Sequence, residues 1–216
     1  GLACPVLLMT SGGGLTTLEN AMQFPIRLVE SGPAGGAILA TKVAREMGLE
    51  KVISFDMGGT TAKICLIDDY KPLSTRTFEV ARAYRNLKGS GLPVKIPAIE
   101  MVEIGAGGGS LASVDALGRV AVGPESAGSQ PGPACYGQGG TQAAVTDADL
   151  VLGKIDPAAF AGGSVKLAPE KASEALEATV GRPLGLDASL AAFSVAEIVD
   201  ENMANAARVH AVEWGK

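Results

Sequence analysis

The sequence of 216 residues contains a single histidine and only three cysteines. One histidine excludes a multi-histidine metal centre within the chain, and a histidine-activated serine or cysteine nucleophile would have to use that residue, His210. Because His210 falls in an amphipathic helix expected near the C-terminus, a packing or surface histidine is the simpler interpretation. Cys4, Cys65 and Cys135 have no paired spacing, which favours a reduced, cytoplasmic compartment over a disulfide scaffold.

Basic clusters and long apolar runs are also missing. The formal net charge is −5, and no run of Lys and Arg occurs that would provide a surface for nucleic acid. No apolar stretch reaches the ~18–20 residues that span a bilayer, and the first residues lack the basic and apolar segments of a signal peptide. We therefore expect neither a nucleic-acid partner nor a membrane span.

Glycine is the residue type in excess, with 29 positions in the chain, about twice the usual share of ~7%. The hydrophobic content of 47% is enough for a packed core, and the glycines have no G-X-Y period, so disorder and collagen are both excluded. The glycines are clustered at 12–14, 32 with 35–36, 58–59, 105 with 107–109, and 139–140. Such clusters at separate turns indicate backbone that approaches something closely.

Hydrophobic patterning predicts an α/β chain that alternates strands and helices. We expect strands over 6–9, 52–56, 62–67, 73–80 and 96–104, and a hairpin of 111–115 with 119–122. We expect helices over 15–23, 31–48 with Ser31 as the N-cap, 146–152, 170–180 and 188–213. Residues 82–91 are predicted to form an exposed loop, and residues 123–141 a long loop without secondary structure of its own.

The strongest local motif is FDMGGTT at 55–61. An apolar strand delivers the Asp56 carboxylate to a tight turn, where glycines expose N–H groups and two hydroxyls follow. Such a turn can hold phosphate oxygens while the carboxylate holds Mg²⁺. The motif is not a Walker A loop, because G-x-x-x-x-G-K-[ST] is absent, and not a Rossmann fingerprint, because the turn leads into a strand. An ordinary hairpin turn is the alternative.

Two other glycine segments add context. SGPAGGA at 31–37 opens a helix, and the first N–H groups of a helix can receive an anion. Close helix packing would equally explain Gly35 and Gly36. IGAGGGS at 104–110 lies between strands, where a β-bulge or sheet corner is the alternative.

Asp56–Thr60, following an S-G-P-A-G-G helix, resembles the second phosphate motif of the actin, hexokinase and sugar-kinase superfamily. Three further segments narrow the resemblance to the hydantoinase A/5-oxoprolinase family, which also contains the ATP-dependent acetone and acetophenone carboxylases. They are IGAGGGS at 104–110, VGPESAGSQPGPACYG at 122–137 and TDADLVLG at 146–153. The resemblance spans roughly residues 9–214.

The resemblance implies an actin/hexokinase-like ATPase lobe of α/β class, with a mixed sheet flanked by helices and a helical C-terminal segment, and with ATP and Mg²⁺ in a cleft between lobes. It implies that Asp56 is the catalytic residue, which orients Mg²⁺ or the attacking group. The implied nucleotide-binding residues are Gly58, Gly59, Thr60 and Thr61 at the phosphates, with Gly35, Gly36, Gly107, Gly108 and Gly109 bordering the cleft.

Members of that family activate an amide or ketone oxygen by phosphorylation. We expect hydrolytic ring opening of a cyclic amide, with ATP-dependent carboxylation of a ketone as the alternative. A nucleotide-gated binding or scaffold module is an alternative of another class. The implied partners are a small-molecule substrate, either a cyclic amide or a ketone, and a hydantoinase B-type subunit or fused region. Oligomerisation stays open.

Two positions depart from common family patterns. Many relatives continue the phosphate turn with S-T-D, whereas this chain has Lys63 in place of the acidic residue. Lys63 would either neutralise phosphate charge or sit on the solvent face of the hairpin. Before IGAGGGS, many hydantoin- and oxoproline-type members carry a His-Thr pair, which is replaced here by Val102 and Glu103. This replacement weakens the assignment of those two substrates.

The first phosphate motif of the family, another D-x-G-G-T, is absent, as is the glycine-rich segment expected beyond the last helix. The chain is therefore expected to be an internal fragment of a longer subunit, inactive when isolated. We interpret residues 1–216 as one hydantoinase A-type domain fragment. It would comprise a connecting segment (1–30), a glycine-rich α/β core with the phosphate turn (31–155) and a helical segment (156–216).

Overall fold

The structure, a computed structural model, describes residues 3–80 and 89–215. The described chain is a mixed α/β arrangement, as the patterning predicts. It divides into two compact units. Unit 1 comprises Gly1–Asp56 and Lys63–Val102, and unit 2 comprises Met57–Ala62 and Glu103–Lys216.

The strands are short and number twelve in the described residues. They are β1 Leu7–Met9, β2 Leu15–Thr17, β3 Lys51–Met57, β4 Ala62–Asp68, β5 Lys71–Pro72, β6 Ser74–Thr75, β7 Phe78–Val80, β8 Leu92–Val94, β9 Ala98–Ile99, β10 Val102–Ile104, β11 Ser110–Val114 and β12 Val120–Ser126. The helices are α1 Leu18–Gln23, α2 Ser31–Met47, α3 Val145–Val151, α4 Pro169–Leu176, α5 Arg182–Leu184 and α6 Ala188–Glu213. Short 3₁₀ turns cover Pro25–Leu28, Ala134–Tyr136 and Phe160–Gly163, and a π-turn covers Glu177–Gly181.

In unit 1, helix α2 packs on the sheet that contains β3, β4 and β5. Strand β4 is buried along most of its length, and β3 pairs with it. Strand β3 lies at the edge and is largely exposed. The core here joins Ala34 and Ala37 of α2 to Cys65 of β4 and Ile99 of β9. Alanines on the inner face of α2 allow the helix to approach the sheet closely.

The ends of α2 agree only partly with those predicted from the sequence. Its C-terminus is confirmed at Gly48, which adopts the left-handed conformation and donates to the carbonyls of Ala44 and Arg45. Its N-cap is Glu30, with a φ of 62°, and not Ser31, which is the first helical residue. The expectation of Ser31 as N-cap is therefore wrong. Glu30 provides no capping side-chain bond to the helix.

Several expected elements are divided in the structure. The helix predicted over 15–23 begins as strand β2, which pairs with β1, and turns helical only at Leu18. The strands predicted over 73–80 and 96–104 are each broken, because β6 pairs with β9 while β7 pairs with β8. Residues 123–141 continue β12 to Ser126 and include one 3₁₀ turn. Most of the loop predicted over 82–91 lies outside the described residues.

Unit 2 is built on the predicted hairpin, β11 with β12, and on four helices. The hairpin turns at Asp115–Arg119, and a register shift follows Ser110. Helix α3 packs against α4 and α6, and its buried Leu150 joins Cys135, Leu167 and Ala172 in the core of the unit. Helix α6 has the predicted bounds, with Asp187 as its N-cap. Within the described ranges, every helix is too short or too polar to serve as a membrane span.

Candidate functional site

The phosphate-turn motif forms the tight connection between β3 and β4. The Gly58 N–H donates to Thr61 O at 2.9 Å, which closes the turn. Gly58, Gly59 and Thr60 are exposed. Within residues 3–80 and 89–215, the N–H groups of Gly59 and Thr60 have no acceptor. The turn therefore presents backbone donors of the kind that bind phosphate oxygens.

Asp56 belongs to unit 1, where it is exposed near the end of β3. Gly36 of α2 lies beside it, since a Cβ placed on Gly36 would be 3.5 Å from Asp56 Oδ2. A Cβ on Gly35 would be 3.8 Å from Met9 Cγ. Both distances are ordinary van der Waals contacts. The described neighbours thus do not require glycine at these two positions.

The third glycine segment meets the phosphate turn inside unit 2. The Gly108 N–H donates to Gly58 O at 3.0 Å, and the Gly109 N–H donates to Gly59 O at 2.6 Å. A Cβ on Gly107 would lie 2.6 Å from Gly58 O and 2.8 Å from the carbonyl carbons of Gly59 and Thr60. No side chain fits there, so glycine is required at 107 because backbone packs directly on backbone.

The N–H groups of residues 107–109 are all used within the protein. The Gly107 N–H donates to Ser110 Oγ at 2.9 Å, and Ser110 is fully buried. The other two N–H groups hold the carbonyls of the phosphate turn. This segment therefore supports the turn from behind, whereas Gly59 and Thr60 offer the exposed donors.

Helix α3 supports the glycine segment in turn, through Thr146, which the sequence marks only as the first residue of the TDADLVLG segment. Thr146 donates to Gly108 O twice, from its N–H at 2.8 Å and from its hydroxyl at 2.7 Å. A Cβ on Gly108 would lie 2.9 Å from Thr146 Oγ1. The contact links residues 38 positions apart, so no local pattern could identify it.

Asp147 is fully buried and accepts three backbone hydrogen bonds. The donors are the N–H groups of Ala134 at 3.1 Å, Cys135 at 2.7 Å and Ala144 at 2.8 Å. Backbone donors around a buried carboxylate replace the water it loses. The TDADLVLG and PGPACYG segments are thus joined by one side chain.

Lys63 forms an ion pair within unit 1. Its Nζ lies 2.6 Å from Glu30 Oε2, and its side chain is only 13% exposed. The alternative that Lys63 sits on the solvent face is therefore wrong, because most of its side chain is covered and its ammonium group is ion-paired at the start of α2. Val102 and Glu103 begin β10, where Val102 is half-buried and Glu103 is exposed.

The single histidine and two of the three cysteines are buried. His210 is only 4% exposed, which confirms the packing interpretation. Burial raises the pKa of the Cys65 thiol to about 11, and burial together with the nearby Asp147 charge raises the pKa of Cys135 further. Neither thiol is activated as a nucleophile. In the part of the chain that the structure describes, no three His, Cys, Asp or Glu side chains cluster as a metal site.

Comparison with known proteins supplies the context of this geometry. A family model described as hydantoinase/oxoprolinase matches residues 1–216. The caprolactamase subunit alpha of Pseudomonas jessenii is 34% identical over 100% of this chain and 30% of its own length. The acetophenone carboxylase gamma subunit of Aromatoleum aromaticum is 36% identical over 93% of this chain and 26% of its own.

A solved structure extends the similarity to three dimensions. The nucleotide-free acetone carboxylase, described in a study of ATP-dependent acetone carboxylation, superposes with a TM-score of 0.77 at 28% identity, over 95% of this chain and 28% of that one. The chain thus spans less than a third of the length of each of these proteins.

Proposed function

This chain belongs to the hydantoinase/oxoprolinase family, and from that premise we propose that it is part of the ATP-dependent subunit of an enzyme that activates a carbonyl oxygen by phosphorylation. The reaction we propose is hydrolytic ring opening of a cyclic amide. The similarity to a caprolactamase subunit, which covers this chain completely, supports it.

The observation that carries the proposal is the exposed turn at 58–61. We assign to phosphate oxygens its two N–H groups, on Gly59 and Thr60, which have no acceptor among the described residues. The hydroxyls of Thr60 and Thr61 are assigned as further donors. Preorganised donors of this kind stabilise charge that develops in phosphoryl transfer without reorganising during the reaction.

Asp56 is the residue we assign to a divalent cation. Mg²⁺ in nucleotide sites is held by one or two carboxylates together with phosphate oxygens and water, so a single exposed carboxylate next to the turn in sequence fits it. When bound, MgATP supplies the phosphoryl group and neutralises part of its charge. The chain contributes the carboxylate and the N–H donors, and Gly35, Gly36 and Gly107–Gly109 are assigned to nucleotide binding as well.

The wider architecture is part of the same proposal. We assign an actin/hexokinase-like lobe divided into a connecting segment (1–30), a core (31–155) and a helical segment (156–216). The complete subunit would act with a hydantoinase B-type partner or fused region, in the cytoplasm. Relatives that are themselves subunits support a multi-subunit enzyme.

Ketone carboxylation is the second candidate. It is supported by the acetone carboxylase superposition and by the identity to an acetophenone carboxylase subunit. A nucleotide-gated scaffold is the third candidate and predicts ATP-dependent partner binding without stimulation by any small molecule.

The test measures ATP hydrolysis by the full-length subunit with its partner, against lactams, hydantoins and 5-oxoproline, and against ketones with bicarbonate. We expect stimulation by a cyclic amide. Asp56→Asn and Gly58→Ala are expected to abolish it, because they remove the cation ligand and obstruct the phosphate approach. Stimulation by ketones alone would replace ring opening with carboxylation. Full activity in both variants would refute the phosphate-turn assignment.

A further inference from the structure

The peptide group that joins Gly108 to Gly109 has both of its polar atoms engaged. Its oxygen accepts from the N–H and the hydroxyl of Thr146, at 2.8 and 2.7 Å. Its N–H donates to Gly59 O at 2.6 Å. Because a peptide group is planar, a partner that fixes the direction of the C=O also fixes the direction of the N–H.

Glycine on both sides makes this peptide group easy to rotate. Without a Cβ at 108 or 109, the steric barriers that normally restrict the adjoining dihedrals are reduced. A rotation of the group would turn its carbonyl toward Gly59 O and break the bond to the phosphate turn. The orientation must therefore be held from outside, and Thr146 is the residue in contact with the oxygen.

The position of Thr146 is itself set by the residue that follows it. Asp147, fully buried, is fixed by the N–H groups of Ala134, Cys135 and Ala144. This anchor holds the first turn of α3 independently of the Thr146 hydroxyl. Loss of the hydroxyl alone should therefore leave α3 in place and remove one of the two hydrogen bonds that orient the glycine peptide group.

We propose that Thr146 is a positioning residue for nucleotide binding, which orients the Gly108–Gly109 peptide group and through it the phosphate turn at Gly59. This inference rests on the proposed function, since it assigns to the turn the ATP phosphates. The hydroxyl acts on the ligand only through the turn. Its effect is expected in the KM for ATP, while the KM for the carbonyl substrate stays unchanged.

The test compares Thr146→Val with Thr146→Ser in the full-length subunit with its partner. Valine keeps the branched shape and the backbone N–H bond, whereas serine keeps the hydroxyl. We expect Thr146→Val to raise the KM for ATP about 3- to 10-fold, the effect of one neutral hydrogen bond, and Thr146→Ser to retain the parent value. A merely structural role would lower the thermal midpoint of Thr146→Val and leave the KM for ATP unchanged.

Two controls keep the outcomes separate. If Thr146→Val does not fold, Thr146→Ala against Thr146→Ser answers the same question, because these variants differ by one hydroxyl, and an equal KM for ATP overturns the proposal. Asp56→Asn is measured alongside. Loss of activity in Asp56→Asn with a parental KM in Thr146→Val refutes the positioning role alone, whereas full activity in both Asp56→Asn and Gly58→Ala refutes the phosphate-turn assignment on which it rests.

Discussion

At the scale of single residues, glycine is required in this molecule for different reasons at different positions. At 107, a side chain would meet the backbone of the phosphate turn at 2.6–2.8 Å. At 140, a Cβ would collide with the carbonyl oxygen of Gly132. At 59 it would meet nothing within 4 Å among the described residues, so their packing does not require glycine there.

This contrast predicts opposite behaviour for two alanine variants. Gly107→Ala should lower the free energy of unfolding by about 1–3 kcal/mol, because the new methyl group forces two backbone segments apart. Gly59→Ala should leave the free energy of unfolding within about 0.5 kcal/mol of the parent while weakening ATP binding. Urea denaturation and ATP titration measure the two effects. Equal stability of the two variants would contradict the packing argument.

At the scale of elements, helix α3 makes polar contacts near both of its ends. Its first turn holds the glycine segment through Thr146, and farther along it Asp149 faces α6. Lys154 Nζ lies 3.3 Å from Asp149 Oδ1 and 3.9 Å from Asp200 Oδ2. Burial raises the pKa of Asp149, and the Asp200 charge adds to the rise, although Lys154 opposes both.

Asp149→Asn is therefore expected to stabilise the protein near neutral pH. Because the pKa of Asp149 is raised in the folded state, the unfolded chain releases this proton at a lower pH than the folded protein does. Stability therefore falls as the pH rises between the two pKa values and stays reduced above them. The gain in thermal midpoint should be largest near neutral pH and shrink as the pH falls and the Asp149 carboxyl regains its proton in both states. Glu197→Gln, an exposed carboxyl on α6, is the control. A pH-independent gain would contradict this assignment.

The elements also show what local sequence can predict. Helix α6 was predictable because one apolar stripe, including Val195, Val199 and Met203, is a local property with helical period. The strands over 73–80 and 96–104 were not, because their division depends on partners elsewhere in the chain. Asp56 and the turn were likewise visible as a local motif, whereas the support from Thr146 depends on a contact over 38 positions.

At the scale of the whole molecule, each unit carries one buried thiol. Cys65 lies in the core of unit 1 and Cys135 in the core of unit 2, while Cys4 is exposed. All three are free thiols. The cysteines therefore report separately on the two units.

Thiol alkylation followed by peptide mass spectrometry should resolve that difference. At pH 8 in native buffer we expect Cys4 to react, and Cys65 and Cys135 to stay unmodified, because burial hinders access and their raised pKa values leave little thiolate. In rising urea, each buried thiol should become reactive as its own unit opens. Rapid native labelling of Cys65 or Cys135 would contradict the buried positions.

The phosphate turn has a consequence for how this protein can be rebuilt. Residues 57–62 fold with unit 2, although the residues on either side of them fold with unit 1. A chimaera that exchanges unit 2 as one contiguous block would therefore leave the recipient's turn against a foreign glycine segment. A chimaera of two family members should fold only when residues 57–62 and residues 103–216 come from the same parent. These two segments therefore have to be exchanged together.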